Sequence, residues 1–101
     1  MKFLTIITYE PSKAAEIAAA GDKVSGMPGV KVLGQYVCVG HVYPGLPPNT
    51  MGGFSISEAE SAEDMGARLY PLALLGATIH VVPIMELPVG TQAEVEKKYR
   101  G

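Results

Sequence analysis

The chain has no tryptophan, a single cysteine and no long apolar run, and each shortage removes a class of protein. One thiol, Cys38, cannot close an internal disulfide, so the small disulfide-stapled secreted scaffold is excluded and a cytoplasmic location is expected. The apolar opening from Phe3 to Ile7 is broken by Thr5 and is too short for a signal-peptide core. No stretch approaches the roughly 20 apolar residues that span a bilayer, so no membrane association is expected. Charge is also scarce, at 18% of residues with a net of −2, and the eight basic residues are scattered. That leaves no basic patch for a polyanion, and no nucleic-acid partner is expected. The phosphate-cradling, dinucleotide-binding, nucleophile-elbow and zinc-protease signatures are all missing, which sets aside nucleotide and serine hydrolysis.

What is present is a sequence of segments. Lys2–Tyr9 is rich in β-branched and aromatic residues and stops at Glu10-Pro11. From Ser12 to Val24, Ala14, Ile17, Ala18, Gly21 and Val24 recur every three to four residues. That spacing predicts a helix whose narrow, alanine-lined stripe packs close to a sheet. A turn at Gly26–Gly29 precedes a strand from Val30 to Gly40 with a bulge expected at Gly34. The next ten residues hold three prolines and form a stiff loop. A third strand is expected over Thr50–Ser57. Ser61 with Asp64 reads as a capping box opening a helix along Ala62, Met65, Leu69 and Leu72, ended by Gly76. Ala77–Glu86 is the fourth strand, and Thr91 with Glu94 repeats the capping pattern before a short helix to about Tyr99. The order is βαββαβ over residues 1–86, with a C-terminal extension over 87–101.

Alternation along the strands sorts their side chains into two faces. Leu4, Ile6, Leu33, Val37, Val39, Phe54, Ile56, Ile79 and Val81 form the set expected beneath the two helices. The other set runs through Phe3, Thr5, Ile7, Tyr9, Val30, Val32, Tyr36, Cys38, Met51, Ser55, Ser57, Thr78, His80, Val82 and Ile84. Two helices cover only one side of a four-stranded sheet, and this second set is too apolar for water. A second copy of the chain is the simplest cover, so a homodimer or higher homo-oligomer is expected.

The segment order, together with the closing strand Val81-Val82-Pro83-Ile84-Met85, resembles the dimeric α/β-barrel group of ferredoxin-like proteins, especially its small uncharacterised members. The resemblance spans about residues 2–86. It implies an α+β fold with a four-stranded antiparallel sheet, two helices on one face, and two units packed sheet against sheet. The group includes cofactor-free monooxygenases, isomerases, haem-degrading enzymes and ligand-sensing domains, so the fold carries no single activity.

Thr5, Tyr9, Tyr36, Cys38, Ser55 and His80 fall together on the expected open face among apolar neighbours, the usual make-up of a small-molecule pocket. An interface whose polar groups satisfy one another would look the same. His80 is the candidate general base, because imidazole titrates near neutrality. His41 and Tyr43 begin the proline-rich loop, where they can close over a pocket mouth or simply form a surface connection. No paired metal-ligand spacing occurs, and no metal or cofactor is predicted. A haem role needs an axial ligand and basic propionate partners, for which only His80 or His41 with Arg68 offers a sketch. Monooxygenases of the resembled group use Trp, Asn or Arg in the pocket; this chain has no Trp, and its single Asn, Asn49, lies in the loop. The expected role is binding of a small, largely apolar molecule on the open face. The alternatives are a cofactor-independent monooxygenase or isomerase using His80, and a purely structural oligomerisation module.

Overall fold

Strand β1 (Lys2–Tyr9) ends at a 3-10 turn over Pro11–Lys13, where proline occupies a position whose amide needs no partner, and helix α1 (Ala14–Val24) follows. Next come β2 (Val30–Val37), β3 (Met51–Ala59), α2 (Ala62–Leu74), β4 (Thr78–Ile84) and α3 (Gln92–Arg100). The computed structural model describes residues 1–101. Its four strands form one antiparallel sheet in the order β2-β3-β1-β4, with α1 and α2 on one side. This is the ferredoxin-like α+β arrangement implied by the segment order.

Local chemistry explains the boundaries. The Ser61 hydroxyl accepts a hydrogen bond from the Asp64 amide at 3.1 Å and caps α2. Gly76, at φ +99°, supplies the left-handed residue after the same helix. The bulge expected in β2 is present, since pairing with β3 slips between Val32 and Gly34. The second expected capping box does not form: the Thr91 hydroxyl donates to the Pro88 carbonyl instead of capping α3. No residue of α3 is buried, and the chain's radius of gyration of 15.5 Å exceeds the roughly 13 Å of a compact 100-residue domain. The segment after β4 is an arm standing away from the body. No helix is long and apolar enough to cross a membrane.

The assignment of faces requires correction. The core beneath the helices is built from Phe3, Ile17, Ala59, Met65, Leu69 and Leu72, with Ile7, Tyr9, Val30 and Ile79 packed against it. Phe3, Thr5, Ile7 and Tyr9 therefore point toward the helices, and with them their cross-strand partners Ser57, Ser55, Gly53 and Met51. Leu4, Ile6, Phe54 and Ile56 point away. Only β4 and the end of β2 follow the expected assignment, with His80 and Tyr36 on the open side. The physical reason is that alternation tells which residues of one strand share a face. Linking strands requires register, and Thr5 pairs with Val81 rather than with His80.

The alanine-lined stripe of α1 also behaves differently from expectation. Only Ile17 and Val24 of that helix are buried, and it rests more on α2 than on the sheet. Small side chains at Ala18 and Gly21 leave a gap above β3 and β2 instead of closing it.

Candidate functional site

The gap is a cavity of about 420 Å3 between the sheet and the two helices. The sheet supplies a polar row: Gln35 of β2, Ser55 of β3 and Thr5 of β1 are directly paired across the strands and share the helix-facing side. Apolar walls come from Ile7 and Ile17, with Leu69 and Leu72 of α2. Ala18 and Asp22 on α1 and Gln35 and Val37 on β2 line the cavity and are exposed, so its mouth opens between that helix and that edge strand.

Arg68 is the decisive residue of this chamber. It lies on the inward stripe of α2 beside Leu69 and is only 4% exposed. Its Nε has no hydrogen-bond partner, and none of the three ion pairs in the protein includes it. Burial away from water lowers its pKa, because the charged form loses part of its hydration. Thr5, 3% exposed and part of the lining, likewise has a buried hydroxyl without a partner. Ser57 Oγ is also unpaired, one row further along the sheet and outside the cavity lining. Buried polar atoms are nearly always satisfied, so these unpartnered groups stand out, two of them on residues that line the chamber.

The sequence-predicted site residues divide into groups. Thr5, Tyr9 and Ser55 line the cavity, beneath the helices rather than on the open face. Tyr36 also borders it, while its ring stacks on Phe54 at 5.0 Å between centroids on the open side. His80 is exposed on that open side, separated from the cavity by the sheet, so its imidazole cannot reach a molecule held there. Cys38 follows β2, its amide donating to the Gly52 carbonyl at 2.8 Å, with the thiol free. His41 is exposed in the proline-rich loop. Tyr43 meets His80 edge-on at 6.4 Å, so this loop reaches back over the open face, not over the cavity mouth. Thr8, which points to the open side, is buried.

The sequence reading reaches Arg68 only as a basic partner for haem propionates, although its position carries a legible signal. The signal is a charge at helical spacing within an apolar stripe, Met65-Arg68-Leu69-Leu72, where an exposed arginine would lie elsewhere on the helix.

The fold is similar to that of 82 solved chains, so the architecture by itself selects no activity. The C-terminal domain of the MgtC protein from Mycobacterium tuberculosis gives a TM-score of 0.64 at 6% identity, covering 87% of this chain and 92% of that one. A DUF3240 family protein from Shewanella baltica OS155 gives 0.52 at 15% identity, covering 87% and 94% respectively. Identities this low speak for the fold alone. No curated protein matches the sequence. Residues 1–98 match the family model of DUF3303, a domain of unknown function, and the chain belongs to that family.

Proposed function

We propose that the protein binds a small, largely apolar molecule in the cavity between its sheet and helices, and that two copies associate through the open sheet face. The observation carrying the first half is the chamber itself, walled by aliphatic side chains and holding two buried polar groups without partners. The site thus moves from the open face to the helix side, keeping Thr5, Tyr9 and Ser55 and gaining Arg68. The competing reading, a monooxygenase or isomerase with His80 as base, has no support from geometry, because His80 lies across the sheet from the chamber.

For the second half, Leu4, Ile6, Phe54 and Ile56 lie on the open side, with Tyr36 57% and Val82 46% exposed around them. Four strands about 4.8 Å apart and seven residues at about 3.3 Å give a face of roughly 440 Å2. A standard interface takes about 800 Å2 from each partner. The arm carries Met85, Leu87 and Val89 exposed and supplies the remainder by reaching onto the second copy. A reducing, cytoplasmic setting accords with the single free thiol.

The binding half is tested with the neutral dye 1-aminoanthracene and the variant Gly21→Leu. A Cβ at Gly21 meets nothing within 4 Å and the residue lines the chamber, so leucine there is chosen to take up its space. Wild type should bind the dye with blue-shifted emission, and the variant at least tenfold more weakly; equal binding by both would count against the cavity.

A further inference from the structure

We propose that the cavity is a carboxylate receptor: it takes an amphiphilic monocarboxylic acid, whose head group sits between Arg68 and Thr5 while its apolar body lies against Ile17, Leu69 and Leu72. The inference rests on the cavity reading and adds the chemical class of the ligand.

Three features of the lining carry it. First, the orphan on Arg68 is Nε, and that nitrogen together with a terminal guanidinium nitrogen forms the side-on fork that matches two carboxylate oxygens. A guanidinium keeps its proton, so Arg68 is a cation only 4% exposed and without an ion-pair partner. Second, Thr5 Oγ1 is buried at the same cavity and unpartnered, a hydroxyl free to donate a further bond to the same head group. Third, the charge count selects a monoanion. Arg68 is the only basic residue in the lining, Asp22 is the only acidic one, and the two are not within ion-pair distance. Asp22 is exposed at the mouth, so Arg68 is the one buried charge: it neutralises one carboxylate, whereas a phosphate dianion would keep an uncompensated charge among aliphatic walls.

The test uses calorimetry with octanoate, octanol, octyl phosphate and octylamine, and a second series of the same head groups on a naphthyl body. In at least one series the acid should bind ten times or more tightly than the alcohol, with the amine weakest. Arg68→Met keeps the apolar stem and should reduce acid affinity to that of the alcohol while leaving alcohol affinity unchanged. Thr5→Val should cost the acid severalfold. Should Arg68→Met fail to fold, the wild-type series decides, supported by the Arg68 Nε nitrogen resonance, which the acid shifts and the alcohol does not. Equal affinity for acid and alcohol overturns the carboxylate assignment and leaves the cavity reading intact. Tighter binding of the phosphate also overturns it. Binding by none of the compounds at millimolar concentration overturns both.

Discussion

The two faces of the sheet differ in where they place their polar groups, and not as burial alone would arrange. Beneath the helices lie Thr5, Ser55 and Ser57, all buried, with Arg68 above them. On the side left open lie Leu4, Ile6, Phe54 and Ile56, none of them fully buried. A chain selected for monomer stability would exchange the two sets, because burying hydroxyls and a guanidinium without partners is costly and leaving aliphatic surface in water forgoes stabilisation. That difference is the observation behind the proposal of a ligand on one side and a second copy on the other.

The comparison breaks most sharply at the open face. Ile56→Lys places a charge at the centre of the inferred interface, twice by symmetry, and should cost association roughly 3–5 kcal/mol or more while leaving each subunit folded. Native mass spectrometry and light scattering read this as a shift from dimer to monomer. A wild type already monomeric at micromolar concentration would refute the pairing.

Adjacent residues on β1 sharpen the contrast. Phe3→Ala opens the core beneath the helices and should lower unfolding stability by about 3–5 kcal/mol. Leu4→Ala, one position along and on the other face, should cost the separated subunit less than about 1 kcal/mol and act mainly on dimer affinity. Urea denaturation across a range of protein concentrations distinguishes the two. Arg68→Met should act in the opposite direction: by removing an unpaired buried cation it should stabilise the ligand-free protein by roughly 1–3 kcal/mol. A destabilised variant would mean that the guanidinium is satisfied within the fold. The smallest effect is expected at Ser61→Ala, which removes the cap of α2 at a cost of about 1 kcal/mol, visible as a drop of a few degrees in Tm.

Element order, the β2 bulge, the Ser61 cap and the Gly76 stop were all legible, because each depends on chemistry within a few residues. The orientation of the sheet was not. Apolar content distinguishes the faces of a strand only when one of them meets water, and in β1 both alternate sets are apolar enough to be core: Phe3, Ile7 and Tyr9 against Leu4 and Ile6. Inter-strand register resolves this ambiguity, and a single sequence does not show it. Thr5, Tyr9 and Ser55 stand out as candidates whichever face they occupy, since a hydroxyl among apolar neighbours is legible without the register. The cavity escaped prediction because it comes from missing side-chain volume at Ala18 and Gly21, and alanine in a stripe reads equally well as close packing.

Gly53 lies in the lining of the cavity, paired with Ile7 on one side and Val37 on the other. A Cβ built there would run into the Tyr36 carbonyl and come within 3.2 Å of Val37 Cα. The floor at this point is main chain and cannot be raised by substitution. The volume of the chamber can instead be changed from its roof, at positions such as Gly21 on α1, without disturbing the strand pairing that holds the domain together.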